Sequence, residues 1–283
     1  MDEYYGMEEE GWKKSLEIII PVILLIVVLL LAASYMGWLT GVPFIGSLFK
    51  EGNINALVIG DDGTVNEIIE KQLAPEVPIN LETMTPEQLA EHRESSFIEK
   101  YNLLILTEGS EGQGLKIPYS GLQHIKYYQS KGKPVIIIGR AGYLTENTQE
   151  RGWNILGFVP VDCVSDTLTD CADQTGTLQG GWARISAPGE TVLHKLDPGI
   201  SGLTTGFKDN LNFSETTTSN VHYVKITPEG GASTVWSLET ATEEVPGVVY
   251  SHNLAGGDIV YFAFHPKDQV PLFRAAIKML TGA

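Results

Sequence analysis

Lys133-Pro134-Val135-Ile136-Ile137-Ile138-Gly139-Arg140-Ala141-Gly142-Tyr143 decides how the rest of this chain is read. A β-branched run behind a Pro predicts a short buried strand, and the glycines that follow predict a sharp turn. A strand entering a tight turn at the centre of an α/β sheet is where many hydrolases mount a nucleophile. The third residue of the turn would then be Ser or Cys, but it is Ala141.

Elements can be placed on either side of this turn. Upstream, Asn55–Gly60 is an apolar strand ending in Asp61-Asp62-Gly63. Thr64–Leu73 has helical spacing, with Val65, Ile68, Ile69 and Leu73 on one face. Pro78–Glu82 is a second strand. Thr85-Pro86-Glu87-Gln88 opens a helix with Thr as N-cap and Pro in the first turn. Tyr101–Leu106 is a third strand ending in Thr107-Glu108-Gly109, Ser120–Lys131 a helix, and Pro134–Ile138 the fourth strand. Strands alternating with helices predict a mainly parallel sheet flanked by helices, a flavodoxin-like α/β class. Continuous rather than alternating apolar runs fit strands buried on both faces.

Downstream the pattern loosens. Trp153–Val161 reads as another strand, and Cys163–Gly181 as an ordered polar excursion. Arg184-Ile185, Val192-Leu193 and Val221–Ile226 read as short strands. Val248–Tyr250 and Ile259–Phe264 read as late strands, and Leu272–Leu280 as a closing helix with Phe273, Ile277 and Leu280 facing inward.

The N-terminal part has another composition. Ile18–Met36 holds no charged residue. As a helix it would be about 28 Å long at about 1.5 Å per residue, enough to cross the hydrocarbon of a bilayer. The chain therefore divides into a tail (1–15), one transmembrane helix (16–37), a juxtamembrane stem (38–54) and an α/β domain (55–283). Lys13 and Lys14 before the span predict a cytoplasmic N-terminus and an extracytoplasmic C-terminal domain at the cell membrane. Tyr35 and Trp38 fit an aromatic belt. A pilin-like assembly helix, with Lys13-Lys14-Ser15 before a processing point and Glu17 just inside the apolar run, is the alternative.

The order of elements, the Pro134–Tyr143 turn and the tripeptide Phe264-His265-Pro266 resemble class I glutamine amidotransferase-like domains over roughly Asn55–Ala283. The segment His194–Leu203 also resembles the trehalose-utilisation-like branch. In that family a Gly-x-Cys-x-Gly elbow follows a buried strand, and a late strand ends in His-Pro-Glu. The resemblance puts Gly139 on the first elbow Gly, Ala141 on the Cys, Tyr143 on the second Gly, His265 on the triad His and Lys267 on the Glu. Acyl transfer needs an activated nucleophile and an oriented base. The resemblance therefore implies a degenerate triad with no catalytic residue.

In such a sheet, ligands bind at the carboxyl ends of the strands. Asp61, Asp62, Glu108, Arg140 and His265 all fall there and could line one polar pocket. The plainer alternative makes Asp61-Asp62-Gly63 a turn and helix cap, Glu108 a solvated acid, and Arg140 a partner for one of these acids. No metal-ligand spacing is present, and no cofactor is implied. Cys163 and Cys171 are the only cysteines and read as a disulfide if the domain is exported. The net charge of −16 argues against a nucleic-acid partner. The function expected is an inactive amidotransferase-like binding or scaffolding module, anchored in the lipid bilayer, with a protein partner or a second copy of itself. A hydrolase with a non-standard site, using Asp61, Glu108 or His265 as base, and a pilin-like structural subunit are the alternatives.

Overall fold

A computed structural model describes Pro21 and residues 53–108, 115–146, 150–163, 182–185 (backbone only), 191–213, 221–239, 243–253 and 256–283. The rest of the 16–37 span and Cys171 lie outside this set, as does most of the 163–181 excursion. Among the described residues, no helix is long and apolar enough to cross a membrane.

The compact unit from Gly52 to Ala283 is built on one nine-stranded sheet. Its strands are β1 (Ile54–Ile59), β2 (Ile79–Met84), β3 (Leu103–Leu106), β4 (Val135–Ile138), β7 (Val192–Lys195), β8 (Asn210–Asn212), β11 (Ser233–Glu239), β12 (Glu244–Ser251) and β13 (Ile259–Phe262). They lie in the order β2-β1-β3-β4-β13-β12-β11-β7-β8. The run from β2 to β13 is parallel throughout. From β13 outward every pairing is antiparallel. The sheet is therefore mixed, and the expectation of a mainly parallel sheet holds for its first five strands. Two small sheets complete it: β5 (Val161–Cys163) with β10 (Ile226–Pro228), and β6 (Trp182–Ile185) with β9 (Val221–Val224).

β4 sits between β3 and β13 at the centre of the parallel half, and all four of its side chains are fully buried. Each such aliphatic side chain contributes about 1.5–3 kcal/mol by leaving water. Successive side chains point to opposite faces, so the strands feed two cores. On one face lie helix α1 (Gly63–Ile68), which continues as a wider turn over Ile69–Leu73, and helix α6 (Val270–Thr281). Phe273 and Ile277 of α6 are buried, and Leu280 packs at the margin. The other face carries α2 (Pro86–Glu91), α3 (Tyr119–Ser130) and α4 (Gly152–Leu156). The α2 start is the one the sequence announces: Thr85 and Gln88 bond each other's backbone N–H in a capping box.

Three readings change. The strand expected over Trp153–Val161 is α4, a loop and then β5. Gly157, with φ 69°, caps α4 in the left-handed conformation. The apolar run reflects burial rather than strand period: Trp153 packs edge-on against Tyr143 and Tyr261, at 5.0 and 5.9 Å between ring centroids. The single strand expected over Val221–Ile226 is divided at Lys225 between β9 and β10, which belong to different sheets. β11 is absent from the sequence reading. Its pairing with β12 shifts register around Trp236, and such a bulge breaks the alternation by which strands are recognised. Helix α5 (Ser201–Thr204) and β8 are too short to leave a periodic signal.

Candidate functional site at the strand ends

The turn after β4 opens at Gly139, whose φ of 56° lies in the left-handed region that favours glycine. Tyr261 of β13 donates to the Gly139 carbonyl at 2.9 Å, and the Trp153 indole N–H donates to the Ala141 carbonyl at 3.0 Å. Burial, reinforced by the Glu108 charge and opposed by Arg140, pushes the Tyr261 hydroxyl well above its ordinary pKa. It therefore stays a neutral donor that fixes the turn.

Ala141 does not stand where the resemblance puts it. It is fully buried in the core, and its N–H bonds back to Ile138 at 3.2 Å. The residue that leaves β4 in the strained conformation typical of a nucleophile elbow is Gly139. That residue has no side chain, and the space one would need is taken. A Cβ built there would lie 2.1 Å from Glu108 Oε1 and 2.6 Å from Oε2.

Glu108 lies two residues past the end of β3, and its side chain is buried rather than solvated. Its Oε2 accepts the Arg140 backbone N–H at 2.7 Å and lies 3.8 Å from the Arg140 Nε. In an elbow, the backbone N–H of the residue after the nucleophile serves the oxyanion hole. Here that N–H is held by the protein's own carboxylate. The Arg140 side chain is completely buried beside it, so this pair is interior.

A second set of bonds joins Asp62, Thr107 and His265. Asp62 is the N-cap of α1, with Oδ1 accepting from Thr64 N and Val65 N, each at 3.1 Å. Its Oδ2 accepts from the Thr107 hydroxyl at 2.6 Å and from His265 Nε2 at 2.8 Å. His265 Nδ1 in turn accepts the Lys267 backbone N–H at 3.1 Å, the first bond of the turn Pro266–Asp268. These partners require the tautomer protonated on Nε2, with the Nδ1 lone pair already engaged. Burial opposes ionisation of Asp62. The hydrogen bond and electrostatic attraction of His265, with help from Thr107 and the Val65 N–H, outweigh it and hold the carboxyl below its ordinary value.

Of the five residues expected to share a pocket, the structure joins Asp62 to His265 and Glu108 to Arg140. Consecutive Thr107 and Glu108 take part in one set each. Asp61 is exposed and belongs to neither. Thr107, a buried hydroxyl at the end of β3, is the participant that its residue type does not single out. Cys163 is buried at the end of β5 rather than in a loop. His194 lies away from this site on the antiparallel extension. Bonds to Glu239 and to Asn210 Oδ1 (2.7 Å) hold it there, and the Glu239 bond raises its pKa. No cluster of three or more His, Cys, Asp or Glu able to hold a metal occurs among the described residues.

No family model matches this chain, and no curated protein matches it in sequence. Solved structures do match its fold. A cytoplasmic protein of Salmonella typhimurium aligns over 81% of this chain and 98% of its own, with TM-score 0.51 and 13% identity. A ThuA-like protein from Bacteroides uniformis aligns over 82% and 93%, with TM-score 0.51 and 11% identity. A GMP synthase component from Thermoplasma acidophilum aligns over 82% and 94%, more distantly, with TM-score 0.43 and 12% identity. At such identities the likeness is one of fold alone: the domain has a mixed α/β fold similar to that of the ThuA-like protein.

Proposed function

We propose that this chain is a membrane-anchored, non-catalytic amidotransferase-like domain that acts as a binding or scaffolding module outside the cell membrane. The observation that carries this reading is the turn after β4. Its left-handed residue is Gly139, and the Glu108 carboxylate fills the volume of the missing side chain while holding the Arg140 N–H. The same observation weighs against a hydrolase at these strand ends. Glu108 and His265 are committed to internal bonds, and Asp61 stands apart.

The test is ammonia release from glutamine by the purified full chain. Loss of a nucleophile alone removes on the order of 10⁶-fold in rate from a triad enzyme. Wild type should show no release above background, and neither should Ala141→Cys or Gly139→Cys. A thiol at 141 would sit in the core, and one at 139 would collide with Glu108. Wild-type turnover that survives repurification and disappears in His265→Ala would overturn the reading.

The anchor and the compartment belong to the same proposal. The uncharged Ile18–Met36 run supports a helix within residues 16–37, and Lys13 and Lys14 support a cytoplasmic N-terminus. An oxidising compartment would then allow a Cys163–Cys171 bridge. Protease added to intact cells should digest the domain, and non-reducing peptide mapping should recover the two cysteines linked. Full protection of the domain, with a cytoplasmic control also intact, would reverse the orientation. Alkylation of both thiols without reductant would remove the bridge.

A further inference from the structure

Among the described residues the large sheet ends at β2, and no strand covers the outer edge of that strand. Ile54 N donates to Pro78 O at 2.8 Å and Gly60 N to Met84 O at 3.0 Å, so the even-numbered residues of β2 face β1. Backbone groups alternate from side to side along a strand. The N–H and C=O of Ile79, Leu81 and Thr83 therefore point away from the sheet. Among the described residues no strand pairs with them. Edges are usually protected by Pro, charged side chains (Lys above all) or a bulge. Ile79–Met84 contains no Pro or Lys and one charge, Glu82, and its register with β1 is unbroken.

A groove of about 430 Å³ runs beside this edge, lined by Glu82, Thr83, Met84, Gln88, Glu91 and His92. Glu82 is tied to Lys100 at 2.9 Å, while Glu91 is exposed at the end of α2. The groove thus sets two carboxylates next to a row of outward-facing backbone donors and acceptors.

We propose that the β2 edge takes up an extended, Lys- or Arg-bearing segment of a partner protein by strand addition. This rests on the binding-module reading above and gives it a partner class. Main-chain bonds to Ile79, Leu81 and Thr83 supply affinity, and alternate side chains of the added strand enter the groove. Charge selects the occupant. The chain carries a net −16, and a second copy would bring its own Glu82 and Glu91 against the same carboxylates. A basic segment meets complementary charge both locally and at long range.

The probe is a labelled heptapeptide, Thr-Val-Lys-Val-Lys-Val-Thr, beside its counterpart with Glu in place of each Lys. Both are titrated by fluorescence anisotropy onto the purified full chain. The Lys peptide should bind at least about tenfold more tightly. Thr83→Pro deletes one outward N–H and leaves the ladder to β1 intact. It should weaken binding about tenfold, the 1.4 kcal/mol expected of one hydrogen bond. Thr83→Lys keeps every N–H, opposes the basic peptide by charge, and should weaken it too even if the Pro variant folds poorly. Equal binding of the two peptides, or indifference to Thr83→Lys, would overturn the proposal. So would self-association of the full chain through β2 in place of peptide binding. None of these outcomes bears on the glutamine assay, whose failure would sink the non-catalytic reading and leave the edge as it is.

Discussion

Gly139→Ala should lower the stability of the domain by about 4–7 kcal/mol. Two costs combine. A φ of 56° puts any L side chain in the left-handed region, at about 1–2 kcal/mol. The new Cβ would also fall 2.1–2.6 Å from the Glu108 carboxylate. Glu108 cannot stay, and moving it strips the buried Arg140 of a neighbouring charge; breaking one half of a buried pair costs about 3–5 kcal/mol. Urea denaturation of Gly139→Ala, Glu108→Ala and the double variant would separate the terms. The double variant should lose clearly less than the sum of the singles, because the collision exists only when both side chains are present. Strict additivity would mean that Glu108 does not occupy the turn.

Asp62→Ala should cost about 3 kcal/mol. It removes an N-cap, worth about 0.5–2 kcal/mol. It also takes away the carboxylate that the Thr107 hydroxyl and the His265 Nε2–H bond in the interior, at about 1–3 kcal/mol for a buried group that loses its acceptor. The pH dependence follows from the lowered Asp62 pKa. A carboxyl held lower in the folded state than its unfolded value of about 3.9 stabilises fully above that pH. Its contribution declines as pH falls below about 4, through the folded-state value. Asp62→Asn has no such group, so its stability deficit should be constant near neutrality and shrink in acid. Urea midpoints between pH 7 and pH 3 would show this. A deficit independent of pH down to 3 would mean that the Asp62 ionisation is not coupled to folding.

These two sites also show how far the sequence can be read. The parallel half of the sheet is legible because its strands are buried on both faces. Four-residue apolar runs such as Leu103–Leu106 and Val135–Ile138 carry that in composition alone. Helix starts are legible where local chemistry makes them, as at Thr85-Pro86 and Asp62. The antiparallel extension is less so: β11 is bulged and β8 has three residues, and neither leaves a clean period.

The candidate site follows the same division. The chain order of strands and turns alone puts Asp62, Glu108, Arg140 and His265 at the ends of parallel strands, and shows that no Ser or Cys stands in the turn after β4. Which residue turns the backbone, and what each polar group bonds, depends on contacts between segments far apart in the chain. Asp62 meets a histidine some two hundred positions away, and Glu108 fills the void above a glycine it could not be matched to by spacing. Local preferences determine where this chain turns and which face of each element is apolar. The pairing of buried charges is decided only when the sheet closes, because a carboxylate taken out of water must find whichever donors the packed strands bring to it.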